Sequence, residues 1–137
     1  MRGRKPNLAV IEGGLNPGRC PGAPSWLSSQ AKAEWKRAAP DLNARGLLKV
    51  EMMATLEAYC VAAGQVREYE EIMLRDGRLV TGVNGESKTH PVFKMQSAAM
   101  REARLLAAEL GLTPHRRMTG KQDEKDKGDG WDSDLLA

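Results

Sequence analysis

The sequence contains one phenylalanine, two tyrosines, three tryptophans and two cysteines among 137 residues. So few aromatics leave the core to Ala, Leu, Met and Val, which suit close-packed helices better than a β-sandwich. Cys20 and Cys60 stand far apart with no CxxC pair, and only His90 and His115 add nitrogen donors, so the ligand spacing of a structural zinc site is missing. Cys60 sits in an apolar helical pattern and reads as a small buried thiol, with a disulfide as the lesser alternative. No run of about 20 apolar residues occurs, and the start, Met1-Arg2-Gly3-Arg4-Lys5-Pro6, lacks the apolar stretch of a secretion signal. A soluble, cytoplasmic chain is expected. The frames GxxxxGK[ST], GxSxG, HExxH and GxGxxG are also missing. Neither a metal, a cofactor nor catalysis by this chain alone is expected.

What is present supports one domain. An apolar share of 41% sustains a compact core, and 21 Lys and Arg against 18 Asp and Glu give a net charge of +3. That balance permits nucleic-acid binding without demanding it. Residues 1–24, rich in Gly, Pro and basic side chains, read as a flexible basic arm. Residues 25–117 read as a helical oligomerisation and DNA-binding core, and residues 118–137 as a flexible charged tail.

Three helices are predicted in the core. The first spans roughly residues 29–39, capped by Ser28 or Ser29 and interrupted by Pro40, whose ring clashes with the Lys36 carbonyl; a further turn reaches Gly46. The second, roughly residues 50–75, carries Met52, Leu56, Tyr59, Ala63, Val66 and Met73 by threes and fours, with Glu70 breaking the stripe and Gly77 ending it. At about 1.5 Å per residue it is longer than a monomer of this size comfortably buries, so Met52, Leu56, Tyr59 and Val66 are assigned to an oligomer interface. Residues 78–81 and 87–89 flank Asn84-Gly85, a pair suited to a turn with positive φ at both central positions, which predicts a short hairpin. Pro91 then opens a third helix to about Leu110, with Val92, Met95, Ala99, Ala103, Leu106 and Leu110 on one face. The predicted architecture is mainly α: an antiparallel helical hairpin with a short β-hairpin at its tip. Its single layer leaves apolar area uncovered, which self-assembly into a ring would cover.

Three basic groups are candidates for DNA contact. Arg2, Arg4 and Lys5 lie in the arm, which suits a minor groove. Lys94, Arg101 and Arg104 fall on one side of the third helix, and Arg116 with Arg117 follows the Thr113-Pro114 cap. A ring multiplies such modest charges into a continuous track, and the shortage of exposed aromatics favours duplex over single strands. Glu68, Glu70 and Glu71 read as a solvated helix face, His90 as a cap or turn residue, and Trp26 and Trp35 as packing residues. In the tail, Trp131, Leu135 and Leu136 are large apolar groups without a core and read as a docking segment for a partner. A dimeric helix-turn-helix regulator of transcription, built on short helices around Pro40 and Gly46, is the alternative.

Several segments occur in an order that carries a family resemblance: Arg2-Gly3-Arg4-Lys5-Pro6, Asn16-Pro17-Gly18-Arg19, Pro24-Ser25-Trp26-Leu27-Ser28, Ala31-Lys32-Ala33-Glu34-Trp35, Pro40-Asp41-Leu42 through Gly46-Leu47-Leu48, Ala58-Tyr59-Cys60 and Gly111-Leu112-Thr113-Pro114. Together they resemble the small subunit of a tailed-bacteriophage terminase over about residues 2–117. The resemblance implies a non-enzymatic ring in the host cytoplasm that engages viral duplex DNA at packaging initiation. It also implies a separate large subunit, carrying ATPase and nuclease, that this ring regulates. Two positions depart from the pattern: Lys49 stands where a Thr is usual and Met52 where an Asp is usual, so the second helix lacks a good N-cap.

Overall fold

The computed structural model describes residues 18–114. The fold has three helices, α1 (Ser29–Ala44), α2 (Val50–Asp76) and α3 (Val92–Glu109), with a two-stranded antiparallel sheet, β1 (Leu79–Thr81) and β2 (Ser87–Thr89), inserted in the chain between α2 and α3. The mainly helical class with a terminal β-hairpin is therefore as expected from sequence. Arm residues Arg2, Arg4 and Lys5, tail residues Trp131, Leu135 and Leu136, and Arg116 and Arg117 lie outside the described residues.

Helix α1 begins at Ser28, whose hydroxyl accepts from the Ala31 amide at 3.3 Å. It does not stop at Pro40 but runs on to Ala44. Pro40 is on the exposed side, while Ala39 and Leu42 beside it are fully buried. Burying Leu42 is worth about 1.5–3 kcal/mol, which offsets much of the roughly 3 kcal/mol a mid-helix proline costs. The chain before α1 is also more ordered than a free arm. The buried Trp35 indole donates to the Pro21 carbonyl at 3.0 Å, and Asn43 donates to the Gly18 carbonyl at 2.8 Å, so residues 18–24 lie across α1. A buried indole N–H needs an acceptor, and this strand of chain supplies it.

Helix α2 is central. It starts at Val50 with Lys49 at the cap position making no side-chain cap bond, as the departure at residue 49 leads one to expect. Gly77 closes it at φ +86, its amide bonded to the Met73 carbonyl at 2.8 Å. Helix α1 crosses it antiparallel: Gln30 meets Glu71, Ala31 meets Gly64 and Arg37 meets Tyr59. Helix α3 returns antiparallel along a neighbouring face, where Gln96 donates to the Val66 carbonyl at 3.3 Å and to Glu70 at 2.7 Å. The main core forms where all three helices meet, from Leu27, Trp35 and Leu42 on the α1 side, Leu56, Tyr59 and Cys60 of α2, and Leu110.

Beyond that core the α2 and α3 pair carries the hairpin, in register Leu79↔Thr89, Val80↔Lys88 and Thr81↔Ser87. Its loop is longer than the two-residue turn expected at Asn84-Gly85. The Gly82 amide bonds the Glu86 carbonyl, the Gly85 amide bonds the Gly82 carbonyl, and only Gly85 takes positive φ (+79). Asn84 keeps an ordinary φ because a turn followed by one left-handed glycine closes the strands without it. An isolated two-stranded sheet is marginal in water, so its base is tied down. Arg78 donates to Glu70 at 2.6 Å, and the His90 amide donates to the Arg78 carbonyl at 2.9 Å. His90 Nδ1 accepts from the Val92 amide at 3.1 Å, capping α3, while Nε2 faces Asp76 at 3.4 Å.

Candidate nucleic-acid interface

Charge is segregated by element. The chain from Gly18 to Lys49 carries six basic and two acidic residues, whereas α2 carries two basic and six acidic ones. Both acids of the first segment are occupied: Glu34 is engaged by Arg37 and Asp41 by Arg45 at 2.9 Å. Among the described residues no carboxylate pairs with Arg19, Lys32, Lys36 or Lys49. Lys36 lies beside Cys20, Pro21 and Pro40, on the side of α1 that residues 18–23 run along. Gly18, the first of the described residues, is held to the same side of α1 by Asn43.

Behind that face sits a buried carboxylate. Glu34 receives the guanidinium of Arg37 through Nε at 3.1 and 3.0 Å and through Nη2, and accepts the Tyr59 hydroxyl at 2.6 Å. Burial opposes its ionisation, but the hydrogen bonds from Arg37 and Tyr59 outweigh it and hold the Glu34 carboxyl below its ordinary value. Burial and the Glu34 charge push the Tyr59 phenol up to about 12. Burial likewise pushes the Cys60 thiol up to about 12, with the Glu34 charge adding to it. This cluster ties α1 to α2.

Lys94, Arg101 and Arg104 lie exposed on α3, on the side turned away from the core. They stand on a different helix from the cations of α1, and their sequence neighbours Phe93 and Met100 are exposed as well. Glu70 is not a solvated residue as expected but a tie between α3 and β1, and Glu71 accepts from Gln30 of α1. The stripe assigned to oligomerisation is largely spent inside the subunit. Leu56 and Tyr59 are buried in the core, Met52 packs against it, and Val66 faces α3 through the carbonyl bound by Gln96. Periodicity identified the buried face correctly but did not say that α1 and α3 of the same chain cover it.

Trp26 corrects a second expectation. Leu27, not Trp26, is buried before the cap, and Trp26 is 63% exposed. It forms the end of an apolar groove of about 630 Å³ between α2 and α3, on the flank that α1 leaves bare. Buried Ala62 and Ala99 make the floor, and exposed Ala58 and Ala98 line it with Tyr69 and Met95. The small floor residues were legible in the sequence, as were the helices bearing them. The groove was not, because it depends on which flank α1 takes. Among the described residues no group of His, Cys, Asp or Glu is placed to hold a metal ion, and no helix is long and apolar enough to cross a membrane.

Charge segregated by element on a slender helical frame, with an apolar groove left open, defines a protein built around binding surfaces. Comparison with known families agrees: the model for the small subunit of phage terminase matches residues 31–127, well over half the chain. The chain belongs to the phage terminase small subunit family, whose place is in phage DNA packaging. No curated protein and no solved structure matches it.

Proposed function

We propose that this chain is the non-catalytic, DNA-engaging subunit of a phage packaging machine. It assembles with copies of itself into a ring, holds viral duplex at packaging initiation, and regulates the ATPase and nuclease of the large terminase subunit. The observation that carries the DNA reading is the charge pattern of the first third of the fold. Arg19, Lys32 and Lys36 are left unpaired among the described residues, while the two acids of the same segment are engaged by Arg37 and Arg45. Duplex phosphates are the polyanion such a surface suits, and a ring repeats it once per subunit. Arg2, Arg4 and Lys5 add three cations earlier in the chain, and Arg116 with Arg117 adds a further pair after α3. Trp131, Leu135 and Leu136 form the docking segment for the large subunit.

The test is duplex binding measured by fluorescence anisotropy across a salt series. Lys32→Glu with Lys36→Glu is expected to weaken binding and to flatten the slope of log Kobs against log salt by roughly two for each subunit in contact, since each phosphate contact contributes about 0.9. An unchanged slope removes α1 from the interface.

The helix-turn-helix alternative loses its footing here. The separate short helices expected around Pro40 and Gly46 merge into α1, which leaves no recognition helix between Pro40 and Lys49. The next helix, α2, is acidic, and an acidic helix is repelled by the phosphates lining a major groove.

A further inference from the structure

Residues 18–23 are held against α1 at two points by side chains of that helix. Asn43 donates its amide to the Gly18 carbonyl at 2.8 Å, and the buried Trp35 indole donates to the Pro21 carbonyl at 3.0 Å. Between these ties Cys20 packs on the core and lines, with Pro21, the same small cavity as Lys36 and Pro40. Arg19 therefore stands on a short stretch fixed on both sides, and it is exposed. The Trp35 tie satisfies a buried indole, but the Asn43 tie does no such work. Asn43 is half-buried, Gly18 is exposed, and a hydrogen bond at the surface adds little net stability because water replaces it when it breaks. What Asn43 secures is the place of Arg19.

That place continues a line of cations on α1. Lys32, Lys36 and Asn43 fall within about 40° of one another around the helix, with Lys36 about 6 Å beyond Lys32 and Asn43 about 10 Å beyond Lys36. Past Lys36 the helix itself adds no cation to this line. Arg37 and Arg45 lie around the helix from it and are engaged by Glu34 and Asp41. Among the described residues no carboxylate pairs with Arg19, Lys32 or Lys36.

We propose that Asn43 is a positioning residue for DNA: its tie to Gly18 sets Arg19 in line with Lys36 and Lys32, so that the three cations meet the phosphates of one duplex together. The inference rests on the DNA reading above and assigns to it a residue that carries no charge. An arginine on an untied chain loses backbone freedom when it binds, and the tie removes that freedom beforehand.

The test uses the full-length chain, duplex anisotropy across a salt series, and three variants: Arg19→Ala, Asn43→Ala and the two together. Alanine keeps the residue 43 carbonyl, which accepts from the Gly46 amide at the end of α1, so an unchanged Tm is expected. Arg19→Ala is expected to flatten the slope of log Kobs against log salt by about 0.9 for each subunit in contact. Asn43→Ala removes no charge, yet it is expected to weaken binding severalfold and to flatten the slope. The double variant is expected to lose no more than Arg19→Ala alone, because both changes act through one contact. Trypsin reads the tie without DNA: cleavage after Arg19 is expected to be severalfold faster in Asn43→Ala than in wild type. Four results overturn the assignment. They are a wild-type slope in either single variant, losses that add in the double variant, cleavage after Arg19 at the wild-type rate, or a Tm of Asn43→Ala lowered by several degrees. Wild-type protein that ignores duplex at every salt concentration is a different failure, since it removes the DNA reading itself.

Discussion

Gly64 of α2 lies directly against Ala31 of α1: a methyl group at Gly64 would stand 2.7 Å from the Ala31 amide nitrogen and 3.2 Å from its Cβ. The obstruction is backbone, which does not swing aside. The two helices approach this closely because neither brings a larger side chain to the crossing.

Gly64→Ala is therefore expected to destabilise the subunit although alanine is the better helix former. Overpacking costs about 1–3 kcal/mol and the propensity gain returns at most about 1. Thermal melts should show Tm lower by several degrees. Gly22→Ala, where nothing lies within 4 Å, should leave it nearly unchanged. Equal melting temperatures for the two would contradict the close crossing.

The Glu34 cluster gives stability a defined pH dependence. Its folded-state carboxyl titrates below the ordinary 4.5, so its contribution is complete above that value and is lost as the pH falls through the lower folded value. Tyr59→Phe removes the 2.6 Å hydrogen bond to Glu34 and is expected to cost about 1.5–3 kcal/mol at neutral pH. The deficit against wild type should shrink in acid, once the carboxyl is protonated in both. Urea melts at neutral and acidic pH read both effects.

The two thiols should differ in reactivity. Cys20 is partly accessible, whereas Cys60 is fully buried with its thiol pushed up to about 12. A thiol reagent at mildly alkaline pH is expected to modify Cys20 in the native protein and Cys60 only after denaturation. Mass spectrometry of the labelled chain distinguishes them, and early labelling of Cys60 would place it elsewhere than in the core.

Removal of residues 128–137 takes away Trp131, Leu135 and Leu136 without touching α1. Stimulation of the large subunit's ATPase is expected to disappear while duplex affinity stays within about twofold. Full stimulation by the shortened chain would remove the tail from the docking surface.

Much of this fold is legible in the sequence because local signals agree there. Ser28 at the cap, the threes-and-fours spacing of α2, and Gly77 and Gly111 at positive φ after α2 and α3 each mark an element to within a residue or two. Pro40 misled because a local penalty was outweighed by burial of Ala39 and Leu42, a tertiary effect. Glu70 looked like a flaw in an apolar stripe; its partners, Gln96 and Arg78, come from other elements. The site was harder to see than the fold. Net charge is small over the whole chain, and the cationic surface emerges only when acids already held by Arg37 and Arg45 are set aside. Leu56 and Tyr59 show the complementary limit. A periodic stripe states that a face is covered, and the cover here is α1 of the same subunit.

The most direct measurement is the mass of the purified full-length chain by size-exclusion chromatography with light scattering, across a hundredfold range of concentration. A closed ring should give one multi-subunit mass that does not grow with concentration, and adding duplex DNA should shift that same species. A single 15.0 kDa monomer at every concentration, inert to duplex, would contradict both the assembly and the grip on DNA.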